Sequence, residues 1–318
     1  MTDYDDPELA QITARLREPD ATVRRIAVLA LADLDGDEHL PLLVAALEDP
    51  SADVRAEAAR ALEAFETPES VAGVARLLED ADDDVRDAAA QSLAQLKLAS
   101  SAIALLPSLA SGDSFIRAAA LRAVRELRAP ETAAPALAAL DDAEPLVRRE
   151  AVSVLGWLKH ADALPALTKL ATADPHSDVR RAAVGALGAA TDDTVLPALL
   201  SALRDAAWQV REEAAATLGK LRLQGAGPAL IAALDDPYWQ VRLRAARSLG
   251  RLRSHDALPA LIAALAHTIS NLRKEAALAL GEIASPLALP ALREAANDPD
   301  PEVRKSARLA LQQTEAAA

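Results

Sequence analysis

The sequence predicts an all-α fold, an α-solenoid of about ten two-helix repeats. A hydrophobic residue followed by arginine recurs at a nearly constant period, and apolar residues follow it at helical spacing. The composition agrees, because 51% of the residues are hydrophobic and only 2% are aromatic, so small aliphatic side chains must fill the interior. Neither helix of such a repeat can bury its apolar side alone. Neighbouring repeats are therefore expected to stack on one another.

The hydrophobic-Arg pair occurs ten times, 31 residues apart, except for one spacing of 32 residues between Val147 and Val179. The pairs are Val23-Arg24, Val54-Arg55, Val85-Arg86, Ile116-Arg117, Val147-Arg148, Val179-Arg180, Val210-Arg211, Val241-Arg242, Leu272-Arg273 and Val303-Arg304. We expect residues 1–318 to form a single array, with repeats at about 7–34, 37–65, 67–96, 99–127, 129–158, 161–190, 191–221, 223–252, 254–283 and 285–314.

Each repeat is predicted to hold two helices. Counting from the hydrophobic residue of the pair, apolar or small residues recur at offsets 4, 5, 8 and 11, which places them on one arc of the second helix. The first helix precedes it and often carries proline in its first turn, where the missing N–H costs little. These prolines are Pro165, Pro197, Pro228, Pro259 and Pro290. No strand is predicted.

The arginine of the pair lies beside the apolar arc, so we expect it to be partly buried and to need a carboxylate partner. An acidic residue stands six positions before it in eight copies, and it could pair with the arginine of its own or of the adjacent copy. Ser111 and His267 occupy this position in the fourth and ninth copies, whose interfaces are expected to be looser. Glycine at offset 9, from Gly156 to Gly281, either permits close approach of the following segment or ends the helix.

The repeated pattern DxxxxVRxxAxxxLG resembles HEAT repeats over about residues 7–314. The short copies are most similar to the subtype first described in phycobilisome bilin lyases. The resemblance implies a right-handed superhelix whose second helices line a concave face. It also implies three kinds of activity to consider: scaffolding, bilin-lyase-like handling of a partner's cofactor, and, in more distant HEAT-like solenoids, repair of alkylated bases.

One member of the resembled subtype is an iron enzyme, deoxyhypusine hydroxylase, with His-Glu pairs at what would be offsets 2 and 3 here. Glu57, Glu150, Glu213 and Glu275 match the Glu, but no histidine precedes any of them. The five histidines share no repeat position and the chain has no cysteine, so we expect no metal, no cofactor and no enzymatic activity.

The formal net charge of −14 opposes general attraction to nucleic acid or to an anionic membrane. The acidic start of the chain lacks the apolar core of a signal peptide, so a cytoplasmic protein is expected. We predict a non-enzymatic scaffold or adaptor for a protein or peptide. The alternatives are a bilin-lyase-like or cofactor-maturation factor and, third, a nucleic-acid-binding or alkyl-base repair protein.

Binding is predicted on the concave face, where offsets 2, 3, 6 and 10 should point outward. Trp157 stands at offset 10, where most other copies carry polar residues, so core packing does not require it. It is expected either to bind a partner or to fold over the helix end and cover apolar surface there. Arginines around it favour an acidic partner segment. The predicted partner-binding residues are Arg122, Arg149, Trp157, Arg181, Arg244, Arg247 and Arg251. Trp208 and Trp239, with Tyr238 adjacent, are expected to stack as structural fillers or to form a second aromatic ridge for binding.

Overall fold

A computed structural model describes residues 7–34 and 37–317 of the chain. Twenty α-helices lie in these ranges, several extended by a short 3-10 turn, and the described residues include no strand. The prediction of an all-α solenoid fold is thereby confirmed. The chain divides after Leu158 into two compact units. That residues 1–318 form a single array remains a prediction.

In the first unit, first and second helices alternate along the chain. They are α1 (Pro7–Arg15), α2 (Ala21–Ala32), α3 (Leu40–Ala46), α4 (Ala52–Ala61), α5 (Pro68–Arg76), α6 (Asp83–Leu93), α7 (Ala102–Leu109), α8 (Ser114–Val124), α9 (Ala133–Ala138) and α10 (Pro145–Leu158). The even-numbered helices are the second helices, and each packs against the second helix of the next repeat.

The second unit repeats the arrangement from Lys159 onward. Its helices are α11 (Leu164–Ala173), α12 (Ser177–Ala186), α13 (Leu196–Ala202), α14 (Trp208–Leu221), α15 (Gly227–Ala232), α16 (Trp239–Leu252), α17 (Leu258–Ala264), α18 (Ser270–Ile283), α19 (Leu289–Ala295) and α20 (Pro301–Ala317). Again the even-numbered helices are the second helices and pack in sequence.

The core follows the predicted apolar arc. In α16, Val241, Ala245, Ala246 and Leu249 are all 0% exposed, and Leu252 is 4% exposed. Proline stands at the first or second position of the first helices α11, α13, α15, α17 and α19, as predicted. There it removes a backbone N–H that the helix would leave unpaired in any case.

Candidate protein-binding surface

A ladder of arginine–aspartate pairs joins successive repeats. The arginine of one repeat binds the aspartate 25 residues later, in the turn before the second helix of the next repeat. In the Arg180 pair, Nε donates to Asp205 Oδ2 at 2.6 Å and Nη2 donates to Oδ1 at 2.8 Å. Bidentate pairs among the described residues include Arg24–Asp49, Arg55–Asp80, Arg117–Asp142, Arg180–Asp205, Arg211–Asp236 and Arg273–Asp298. We call each pair a rung.

Both side chains of a rung also form hydrogen bonds with the backbone of the turn that precedes their own second helix. The Nη1 of Arg180 donates to the carbonyl of Asp174 at 2.8 Å, and the Oδ1 of Asp205 accepts the N–H of Ala207 at 2.8 Å. Both side chains are mostly buried, with 15% and 11% exposed. The prediction of partly buried, paired arginines is confirmed, and of the two partners considered, the ladder uses the carboxylate of the adjacent copy.

The rungs hold their aspartates in the charged form. Hydrogen bonds from Arg55 lower the pKa of Asp80, and burial opposes this shift only in part. The pKa of Asp298 is lowered in the same way by Arg273. For Asp205, burial acts most strongly and would raise the pKa, but the hydrogen bonds from Arg180 and from the N–H of Ala207 together lower it. The charged form of these carboxylates therefore stabilises the folded state, and protonating them destabilises it.

Two rungs are incomplete. Ser111 Oγ and His267 Nδ1 replace the turn function of the aspartate by accepting the N–H groups of Asp113 and Ile269, at 3.2 and 3.0 Å. Neither supplies a carboxylate to the preceding arginine. Arg86 instead pairs with Asp83 of its own helix, and the Nε of Arg242 is buried with no hydrogen-bond partner among the described residues.

Glycine at offset 9 brings second helices together in the second unit. A Cβ atom on Gly219 would lie 2.8 Å from the Cα of Ser248, and one on Gly250 would lie 2.7 Å from the Cα of Ala279. Gly281 meets the Cα of Ala310 at 2.8 Å in the same way. At these three positions close approach is the explanation, of the two predicted, that the structure bears out.

The junction between α6 and α8 has neither device, because Arg86 faces Ser111 and Ala94 stands at offset 9. Two cavities lie there and share Phe115 and Asp87; together we call them the α6–α8 cleft. The acidic cavity, about 620 Å³, is lined among others by Glu79, Asp80, Asp83, Asp87, Asp113 and Arg86. The Ala-floored cavity, about 420 Å³, is lined among others by Ala90, Ala94, Ala118, Ala119, Leu146 and Phe115.

Two predicted site residues of the first unit, Arg122 and Arg149, lie beside a buried carboxylate. Glu150, at offset 3, is only 2% exposed, so the expectation that this offset points outward is wrong. Its Oε1 lies 2.6 Å from Arg149 Nη2 and 3.7 Å from Arg122 Nη2, and its Oε2 lies 3.9 Å from Arg125 Nη1. The helices pack so that offset 3 faces the preceding second helix, and burying a carboxylate there requires the arginines.

Trp157 lies in the last turn of α10, and 42% of its surface is exposed. The guanidinium carbon of Arg128 lies 5.2 Å from the centre of its ring system, a cation–π contact that the sequence analysis missed. Arg128 has a left-handed backbone, with φ of 54°, and the same conformation recurs at offset 12 in Lys159, Arg222, Arg253 and Ala284. The repeat position of Arg128 was therefore the signal that could have placed it near the helix end.

In the second unit most predicted arginines are paired with glutamates. Arg244 Nε lies 3.1 Å from Glu212 Oε1, and Arg247 binds the buried Glu275 with Nε 3.0 Å from Oε2. Arg181 is half exposed, 3.8 Å from a Glu213 oxygen. Burial raises the pKa of Glu213, and Arg181 opposes that shift. Over the described part of the chain Arg251 makes no ion pair, and its side chain is exposed.

The aromatic residues of the second unit pair differently from the prediction. Trp208 stacks on Tyr238 with ring centres 5.4 Å apart and planes at 14°, and this is the only ring contact found for Trp208 within residues 7–34 and 37–317. The expected stacking of Trp208 on Trp239 is wrong, because Tyr238 precedes α16 and turns toward the earlier repeat. Arg211 also lies over Tyr238, at 5.6 Å, and Trp239 is 39% exposed.

The described residues contain no group of three or more His, Asp or Glu side chains arranged to hold a metal ion. Nor does any helix within them have both the length and the apolar character needed to cross a membrane.

Comparison with known protein families finds one match. The profile of the family described as HEAT repeats matches residues 9–94, 102–188, 170–237 and 227–312. No curated protein sequence matches the chain significantly.

Solved structures share the fold. The crystal structure of an engineered protein is 23% identical, with a TM-score of 0.57, and the match covers 97% of this chain and 99% of the other. A chain from a structure of Kap95p with RanGDP is 16% identical, with a TM-score of 0.67, and the match covers 98% of this chain and 50% of the other. A Kap95–Nup1 complex gives 15% identity, a TM-score of 0.66 and the same two coverages. This chain thus spans about half the length of those Kap95 matches.

Proposed function

We propose, from the premise that this chain belongs to the HEAT-repeat family, that it is a non-enzymatic scaffold which binds a protein or peptide on its second helices. The fold of this family is typically that of a scaffold without catalytic function. The Kap95 structures that share the fold include Kap95 bound to a protein partner, Ran in one case and Nup1 in the other. A cytoplasmic location is part of the same proposal.

The observation that carries the proposal is the surface around Trp157. A large aromatic side chain is 42% exposed at the end of α10, held by Arg128 rather than buried in the core. Exposed tryptophan beside arginine is typical of the residues that contribute most to protein interfaces. A tryptophan side chain has only two rotatable bonds, so fixing it in an interface costs little conformational entropy.

The arginines of the first unit favour an acidic partner segment. Arg122, Arg125 and Arg149 share two carboxylates, those of Glu150 and Glu126. One arginine charge is left over, and Arg128 adds another. In the second unit, Arg251 is exposed, while Arg181, Arg244 and Arg247 are paired with glutamates. We therefore propose that Trp157 and the arginines of the first unit make the main contacts with the partner.

No specific observation favours cofactor handling or nucleic-acid repair. The pairing of Arg244 and Arg247 with Glu212 and Glu275 weakens the attraction of the α16 arginines for phosphates. The protein-binding proposal is therefore argued alone.

The experiment compares three baits in affinity purification from the native cell: the natural chain, Trp157→Ala and Ile103→Ala. Ile103 is the matched control, since it is 63% exposed on the first helix α7 of the same unit. We expect Trp157→Ala to lose the main partner and Ile103→Ala to retain it. A photo-crosslinking residue at position 157 should label that partner directly.

Equal recovery of every partner by the Trp157→Ala and natural baits, together with no crosslink from position 157, would contradict the proposal. Melting curves of the three purified chains show whether each is folded.

A further inference from the structure

The α6–α8 cleft exists because two closing devices are missing at the same junction. The α4–α6 junction has a rung without glycine, and the α16–α18 junction has glycine without a rung. Only the α6–α8 junction, among the junctions within each unit that the structure describes, lacks both. The resulting space is therefore a consequence of residue choices at Ser111 and Ala94.

The floor of the Ala-floored cavity suits an apolar side chain, and Glu63, Gln91, Gln95 and Arg122 add polar groups to the lining. Ala118 and Ala119 are buried in its floor, Phe115 is half buried, and Leu146 is 41% exposed at its edge. Its volume of about 420 Å³ lies within the usual range for ligand pockets. The exposed leucine and the aromatic ring both offer apolar surface that a bulky apolar side chain of a ligand could cover.

The acidic cavity suits positive charge. Five carboxylates line it against one guanidinium, that of Arg86. Asp80 and Asp83 are held by Arg55 and Arg86, and Asp113 caps α8 by accepting the N–H groups of Phe115 and Ile116. Glu79 and Asp87 are exposed and have no ion pair in residues 7–34 or 37–317. They remain available to a ligand.

We propose that the α6–α8 cleft binds a linear peptide segment in which a bulky apolar side chain neighbours two or more Lys or Arg residues. The apolar side chain enters the Ala-floored cavity and contacts Phe115, while the basic side chains reach Asp87 and Glu79 across it. The net charge of −14 steers such a segment toward the chain. This inference rests on the proposed binding function, but it names a cleft that shares only Arg122 with the arginines assigned to the Trp157 surface, and a partner of opposite charge.

Fluorescence anisotropy with the full chain tests it. The probe is a labelled peptide with the core Lys-Arg-Leu-Phe-Lys-Arg between Gly-Ser flanks, and the control peptide has Gly-Gly in place of Leu-Phe. The control peptide should bind at least about tenfold more weakly, because it keeps the charge and lacks the apolar anchor.

Two chain variants locate the site. Asp87→Lys should weaken binding of the probe by about tenfold or more, since it replaces an attraction by a repulsion. Asp178→Lys is the matched control, an exposed aspartate on α12 with the same change of charge, and should shift the Kd by less than about twofold. Phe115→Ala should also weaken binding by about tenfold. Because Phe115 is half buried, its melting curve is measured as well.

Equal affinity for the probe and the Gly-Gly peptide would overturn the inference, and so would equal weakening by Asp87→Lys and Asp178→Lys. Absence of binding by the natural chain would also overturn it. The two proposals fail separately: loss of partners by Trp157→Ala with no probe binding rejects the cleft alone. Specific probe binding with unchanged recovery by Trp157→Ala rejects the Trp157 surface alone.

Discussion

The α14–α16 and α6–α8 junctions are built from the same repeat, yet one is closed and the other is open. At α14–α16 the Arg211–Asp236 rung is complete, and Gly219 lets the backbone of Ser248 approach. At α6–α8, serine replaces the rung aspartate and alanine replaces the glycine, and a cleft lies between the helices. At a junction without glycine, loss of the rung therefore coincides with an open cleft.

The largest expected effect of the rungs is on acid stability. Each rung aspartate has a folded pKa below that of the unfolded chain, which is about 3.9. On acidification the unfolded chain binds protons first. The stabilisation is therefore complete above about pH 4 and is lost as the pH falls through the folded pKa values. Circular dichroism during acid titration should show unfolding in that range, and full stability at about pH 2 would contradict the role of the rungs.

Removing one complete rung should have the next largest effect. Asp205→Ala leaves Arg180 partly buried without its carboxylate and should cost about 3 kcal/mol in urea unfolding. Ser111→Ala is the matched control, because the same repeat position there carries no rung, and it should cost less than about 1 kcal/mol. Similar losses in the two variants would remove the distinction between complete and incomplete rungs.

Filling the close contact of α14 with α16 should cost about 2 kcal/mol, because Gly219→Val places side-chain atoms against the backbone of Ser248. Ala94→Val makes a comparable change at offset 9 beside the Ala-floored cavity, where space is available, and should cost less than about 1 kcal/mol. Thermal melting of both variants measures the difference. If Gly219→Val were tolerated as well as Ala94→Val, glycine would not be what closes the junction.

Completing the missing rungs should give the smallest effects, and both are stabilising. His267→Asp offers a carboxylate to Arg242, whose buried Nε has no partner among the described residues, and should gain about 1 kcal/mol. Ser111→Asp should gain less, because Asp83 already pairs with Arg86 and four further carboxylates line the acidic cavity. The melting temperatures of the two variants rank these gains. Destabilisation by His267→Asp would argue against an unfilled rung at that position.

The period of the Val-Arg pair was sufficient to predict the helical repeat, since it fixes where each second helix begins. The period could not show whether the aspartate paired with each arginine belongs to the same repeat or to the next one, because that depends on how neighbouring repeats pack against each other. The packing of neighbouring repeats also buries Glu150 and brings Tyr238, rather than Trp239, onto Trp208. The cleft could have been sought from sequence at Ser111, which departs from the repeat in copies that have no glycine at offset 9, but its lining needed coordinates.

The central claim is that the α6–α8 junction is the open one because it lacks both a rung and a glycine. Hydrogen–deuterium exchange of the natural chain, resolved by peptide, tests this most directly, since exchange reports local opening. We expect the amides of α6 and α8 to exchange faster than those of α14 and α16. Equal protection of the two helix pairs would contradict the claim.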